Sequence, residues 1–179
     1  DWLTPRLDGL PFFHKPPLFY WLTAGAMKLF GVHAFAARAA PLLGAWLAGM
    51  ALYVFLRRWA GRRHAGLALA VLAVLALFLV GGQFANLDML VAGLIAATIL
   101  LASEAGLNAD KNKPYKGLLA GAYLGAALGF LAKGLIGFVL PGLVLVAWLA
   151  WNRRLALLRQ LVWMPGLIIF LAVAAPWIV

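Results

Sequence analysis

Apolar residues fill this chain in long runs, and short polar stretches divide them. Residues 1–17 hold Pro5, Pro11, Pro16 and Pro17 and show no apolar period, so they read as an ordered polar loop. From Leu18 the pattern changes: Leu18, Leu22, Ala26, Leu29 and Phe30 recur at helical spacing, Lys28 lies elsewhere on the wheel, and Gly31 is placed to stop the helix. A helix over 18–30 is too short for a hydrocarbon core that needs about 20 residues, so it is expected to lie along the interface. Further apolar runs cover 39–56, 65–82, 89–103, 117–132, 134–151 and 161–179. They predict an all-α fold, a polytopic transmembrane helix bundle with an outer-face loop and an interfacial amphipathic helix. Residues 1–33 would form the loop and interfacial helix, and residues 34–179 an incomplete bundle of about six spans. The runs at 89–103 and 117–132 are short for about 30 Å of hydrocarbon, which is expected to draw Asp88 and Lys133 to or below the membrane surface.

Composition agrees with a bilayer. The chain is 66% hydrophobic and 11% charged, with a mean hydropathy of +0.98, whereas soluble domains carry about 25% charged residues. A net charge of +10 raises the question of nucleic acid. The basic residues, however, cluster between apolar runs, which fits topology signals and anionic membrane lipids, with no nucleic acid partner. No cysteine is present, so there is no disulfide and no thiolate metal site. The first residues lack the regions of a signal peptide, and Ile178-Val179 still lies inside an apolar run; the expectation is a segment of a longer protein.

Charge also orients the bundle. Connections that would share one face hold Arg57, Arg58, Arg62 and Arg63, then Lys111, Lys113 and Lys116, then Arg153, Arg154 and Arg159. The opposite face has only Arg6, Lys15, Lys28, Arg38 and Lys133. Enrichment of Lys and Arg on cytoplasmic loops puts the first set inside. Asp8, His14, Lys15, Asp88 and Lys133 then share the outer face.

Several of these residues are equipped for chemistry. A carboxylate at Asp88 can serve as general base or hold a cation, and Asn86 or Asp88 can equally cap a helix N-terminus. Lys133, where two runs meet almost without a loop, can snorkel to the headgroups or bind phosphate or pyrophosphate. Lys15 supports the same use, and Arg6 can add a planar fork. His14 reads as a hydrogen-bonded loop residue or a metal ligand, and so leaves open a possible divalent metal. Phe12, Phe13, Phe19, Tyr20 and Trp21 suit an interfacial aromatic belt or a stacking surface for a sugar or prenyl chain. Arg57-Arg58 and Arg62-Arg63 read as a topology anchor. Gly117, Gly121 and Gly125, spaced at i, i+4, favour close helix packing.

These blocks resemble the GT-C membrane glycosyltransferases that use polyprenyl-phosphate sugars, in the branch with the aminoarabinose lipid A transferases and protein O-mannosyltransferases. The likeness rests on Asp1-Trp2-Leu3-Thr4-Pro5-Arg6-Leu7-Asp8-Gly9 and Phe13-His14-Lys15-Pro16-Pro17-Leu18-Phe19-Tyr20-Trp21. It extends to Asn86-Leu87-Asp88, Phe130-Leu131-Ala132-Lys133-Gly134 with Pro141, and Pro176-Trp177. The first two blocks are the specific ones. The resemblance implies that Lys15 contacts the donor phosphate, with Lys133, Arg6 and Tyr20 as further contacts. It implies that Asp88, with Asp8, belongs to the catalytic face, and that the family's main carboxylate sits in an Asp-Glu motif upstream of Asp1. His14 stands where the aminoarabinose transferases usually show Glu.

The expected activity is inverting transfer of a sugar from a polyprenyl-phosphate donor to a lipid A-like or protein acceptor, at the outer face of a bacterial inner membrane. The segment by itself is expected to be inactive. The rival is a non-enzymatic polytopic protein, a transporter or lipid-binding scaffold. That class places polar groups near the midplane of broken helices, so a deep two-sided cavity would favour it.

Overall fold

The computed structural model describes residues 6–7, 10–11 and 15–178. The chain starts with a two-stranded hairpin, β1 (Arg6–Leu7) and β2 (Leu10–Pro11), paired antiparallel with Arg6 opposite Pro11. This small addition to the expected loop is followed by helices: α1 (Leu18–Phe30), α2 (Ala34–Ala37), α3 (Ala39–Trp59), α4 (Arg62–Val74), α5 (Ala76–Gln83), α6 (Asp88–Asp110), α7 (Lys116–Lys133), α8 (Ile136–Trp151), α9 (Leu158–Leu161) and α10 (Met164–Ile178).

Helix α1 has the predicted bounds, and local chemistry explains them. Pro17 caps it in an α conformation and its carbonyl accepts the Trp21 N–H at 2.9 Å, so the ring that cannot donate sits where no donor is needed. Gly31 ends it at φ +90°, a conformation suited to glycine. His33 then starts α2, its Nε2 donating to the Phe30 carbonyl (2.8 Å) and its Nδ1 accepting from the Ala36 N–H (3.4 Å).

The centre of the bundle is α6, which packs on α3, α7 and α8. Half of its most apolar window is buried, against 22% for α3, so α6 is the inner helix and α3 the lipid-facing one. Both are long and apolar enough to cross a membrane. Helix α6 outruns its apolar pattern: the run stops before Glu104, but the helix continues to Asp110, and the buried Glu104 within that extension is paired with Arg58. Two other runs are broken. Helices α4 and α5 bend by 68° at Leu75, where the sequence carries neither Gly nor Pro, and the final run bends by 61° between α9 and α10.

Glycine sets how closely the helices approach. Helices α3 and α6 cross where a Cβ on Gly44 would overlap the Met89 carbonyl and one on Gly93 would overlap the Gly44 carbonyl; α7 and α8 cross likewise at Gly129 and Gly137. The predicted glycine series is used only in part. A Cβ on Gly125 would come within 2.6 Å of Thr98 Oγ1 and one on Gly121 within 3.3 Å of Leu101, but a Cβ on Gly117, exposed at the start of α7, would meet nothing within 4 Å.

Candidate functional site

Three elements converge at one end of the bundle. Helix α6 begins there with Asp88, α7 ends there with Lys133, and α1 lies across both. Leu18, Phe19 and Leu22 of α1 pack on a core of Ala40, Leu90, Val91, Leu94 and Ala132. Leu90 follows Asp88 by two residues and Ala132 directly precedes Lys133, so the packing of α1 on them places it beside these charged residues.

The Lys133 ammonium donates to Asp88 Oδ1. The two side chains are 30% and 63% exposed, which makes this a wet ion pair at the rim and leaves room for a ligand to reach either charge. Neither Asn86 nor Asp88 occupies the N-cap of α6, which is Leu87, but Asn86 Oδ1 accepts the Asp88 N–H, the first of the helix, at 3.0 Å. The Asp88 carboxylate, at the positive end of the α6 dipole, is thereby turned to Lys133. Lys133 is positioned by the turn behind it. Gly134 at φ +75° closes α7 through its N–H to the Phe130 carbonyl (2.7 Å), and α8 restarts at Ile136 with hardly any connection.

Lys15 reaches this end on a short, stiff approach. Pro16 and Pro17 are buried whereas Lys15 is exposed and has no ion pair among the described residues. Tyr20 is half-buried and meets Phe19 edge to face at 5.9 Å, so at least this part of the aromatic series supports packing. Arg6 lies on β1. Asp8 and His14, with Phe12 and Phe13, lie outside the described residues. Among the described residues no three His, Cys, Asp or Glu side chains gather as a metal would require.

The far end of α6 has the opposite character. Besides the Arg58–Glu104 pair, Arg154 Nη1 donates to Asp110 Oδ2 at 2.5 Å, and Lys111 lies 4.3 Å from the centre of the Trp59 ring. Asp88 and Asp110 are the first and last residues of a 23-residue helix, so the two ends are roughly 33 Å apart. The three basic connections read from sequence thus gather at one end and the Asp88–Lys133 pair at the other. The site lies at an edge of the bundle, not midway along it. The apolar cavity between α6, α7 and α8 has neither Asp88 nor Lys133 on its walls, so the transporter alternative gains no support from it.

Sequence reasoning missed several residues. Asn108, buried in α6, staples the α6–α7 connection, its carbonyl accepting from Lys111 and Lys113 (3.0 and 2.9 Å) and its amide donating to the Pro114 carbonyl at 3.3 Å. Tyr123 on α7 donates its hydroxyl to the Leu161 carbonyl at 2.9 Å and accepts from the Trp163 N–H at 3.3 Å, which holds the break before α10. Glu104 and Asn108, spaced i, i+4 on an apolar helix, were the available signal for a buried polar face.

Comparison with known proteins adds an independent line. The family described as dolichyl-phosphate-mannose-protein mannosyltransferase matches residues 14–179. The undecaprenyl phosphate-alpha-4-amino-4-deoxy-L-arabinose arabinosyl transferase of Shewanella sediminis is 32% identical over 99% of this chain and 32% of its own length. The Pseudomonas aeruginosa LESB58 protein of the same name is 31% identical over 99% and 32%. Among solved structures, ArnT from Cupriavidus metallidurans bound to undecaprenyl phosphate superimposes with a TM-score of 0.91 at 30% identity, covering 99% of this chain and 33% of that one. Its apo form gives 0.88 at 31% identity. The chain therefore spans about a third of the length of the relatives it matches.

Proposed function

Because this chain belongs to the dolichyl-phosphate-mannose-protein mannosyltransferase family, we propose that it supplies the donor-phosphate part of a membrane glycosyltransferase that transfers a sugar from a polyprenyl-phosphate donor. The observation that carries the reading is the meeting of α1, Asp88 and Lys133 at one bundle edge, on a fold whose solved relative holds undecaprenyl phosphate. The acceptor is a lipid A-like glycolipid or a protein. The active edge faces away from the cytoplasm, because the Lys- and Arg-rich connections lie at the other end.

In this proposal Lys15, on its proline-stiffened approach, binds the donor phosphate, aided by Lys133, Arg6 and Tyr20. Positive charge held there before the reaction stabilises the phosphate that departs from the sugar carbon. A carboxylate at the outer edge takes the proton from the acceptor hydroxyl as it attacks. Asp88 holds Lys133 at the mouth until the donor phosphate competes for the ammonium, which frees the carboxylate towards the acceptor; Asp8 is the second candidate carboxylate. His14 is the candidate contact for a divalent metal.

Lys15→Ala and Lys133→Ala in the full-length enzyme test the phosphate role. A charge-assisted contact is worth about 1.5–3 kcal/mol, so each change is expected to weaken donor binding by roughly tenfold to a hundredfold and to slow sugar transfer. Donor affinity and turnover equal to those of the unmodified enzyme would refute it.

A further inference from the structure

At the basic end of the bundle, two recesses adjoin whose walls include none of the residues assigned to sugar transfer. The first, about 570 Å³, lies at the α6–α7 connection and is bordered by Asn112, Lys113, Tyr115, Lys116 and Gln160. The second, about 180 Å³, is apolar and runs between α6, α7 and α8 beneath it, along Ala122, Ala126, Pro141, Gly142 and Leu145. They follow one another along the same elements: Lys116 lines the first and Leu119 the second, one helical turn on, and Gln160 and Leu161 divide in the same way. Phe138, Val146 and Val162 on the lower recess are 44%, 44% and 64% exposed, so it opens sideways to the apolar phase.

We propose that these recesses form one binding site for an anionic phospholipid of the Lys- and Arg-rich leaflet, headgroup phosphate at Lys113 and Lys116 and an acyl chain in the groove below. Position favours this place. Several basic residues of this end have no ion pair among the described residues, but of these only Lys113 and Lys116 border the recess, whereas Arg58 and Arg154 are committed to carboxylates and Lys111 to Trp59. The upper recess is also preformed, since buried Asn108 fastens the connection through Lys111, Lys113 and Pro114. Below it, the apolar recess open to the hydrocarbon phase offers an acyl chain an almost wholly apolar lining. Tyr123 keeps the groove open by pinning Leu161 and Trp163 at the α9–α10 break. Lysines over an apolar slot match a phosphate on a hydrocarbon chain.

The test uses full-length protein stripped of lipid in detergent, incubated with phosphatidylglycerol or phosphatidylcholine and examined by native mass spectrometry. Phosphatidylglycerol should be retained in preference to phosphatidylcholine. Lys113→Gln with Lys116→Gln should cut its retention roughly 30-fold, while Arg62→Gln with Arg63→Gln, an equal loss of charge, should lower it only a few-fold. Gly142→Leu, on the groove wall where an added Cβ meets nothing within 4 Å, puts a branched side chain into the groove and should reduce retention of both lipids while thermal unfolding stays unchanged. Equal effects of the Lys and Arg pairs, no preference for phosphatidylglycerol, or normal retention in Gly142→Leu would each overturn the proposal. A Gly142→Leu protein that is destabilised but keeps its lipid would show that another part of the longer protein fills the groove, and would overturn it too.

Discussion

Gly93→Ala gives the most direct test of how this bundle is assembled. A methyl group at Gly93 would overlap the carbonyl, carbon and Cα of Gly44, and one at Gly44 would overlap the carbonyl of Met89 and the Cα of Leu90. Every obstructing atom is backbone, so no side-chain rotation relieves the overlap and α3 must move away from α6. The same pair of helices supplies Ala40, Leu90, Val91 and Leu94 to the core under α1, and separation loosens those contacts as well. Forcing an extra methyl into such a contact costs about 1–3 kcal/mol, and the better helix propensity of Ala returns at most about 1 kcal/mol. Because the obstruction is backbone, the cost falls in the upper part of that range, about 2–3 kcal/mol, and the net expectation is a loss of about 1–2 kcal/mol. Gly117→Ala is the matched control, with open space at the Cβ position, and there propensity alone should stabilise by up to about 1 kcal/mol. Unfolding of the purified full-length protein, followed by tryptophan fluorescence in one detergent, should separate the two variants in opposite directions. Equal stability of both would refute the idea that backbone contact at Gly44 and Gly93 holds these helices together.

The ion pairs at the two ends should behave differently. Glu104 is 5% exposed and Arg58 half exposed, so Arg58→Ala strands a buried carboxylate and should cost about 3 kcal/mol, while Glu104→Gln leaves an arginine that can turn to water and should cost less than about 1 kcal/mol; the same unfolding assay reads both. Asp88→Asn and Lys133→Gln, in a pair exposed at the rim, should change stability by less than about 1 kcal/mol and yet lower sugar transfer by the full-length enzyme. A large stability loss in either variant would mark the pair as structural.

How far the sequence could be read depended on how local the cause was. Helix α1 was legible to the residue, because Pro17 and Gly31 dictate their own backbone angles and the apolar spacing between them is regular. The sharing of one end by Lys15, Asp88 and Lys133 was legible too, since alternating runs and loop charge order the chain without any knowledge of contacts. What escaped depended on partners distant in sequence. The carboxylate of Glu104 beyond the apolar run of α6 is met by Arg58, 46 residues earlier, and the bend at Leu75 has no turn residue to announce it. Glycine spacing was a poor guide: Gly117 fits the pattern and packs against nothing, while Gly44 with Gly93 and Gly129 with Gly137 make their contacts across helices. Spacing along one helix says which glycines share a face, but not what that face meets.

The contacts that position Lys133 are separate from the contact it makes. Its height is set by Gly134, whose φ of +75° ends α7 one residue later, and by the approach of Gly129 to Gly137, which draws α8 back at once. Asp88 is likewise set by Asn86 at the start of α6 and by Leu90 and Val91 beneath α1. Neither charged side chain is needed to bring the helix ends together, and the exposed pair between them adds little to stability. Two charges held in place by backbone and core can exchange partners without disturbing the bundle. The proposed phosphate role, accepting a phosphate and later releasing it, needs that property, and the half-buried Arg58–Glu104 pair at the other end, with one charge already sealed from water, lacks it.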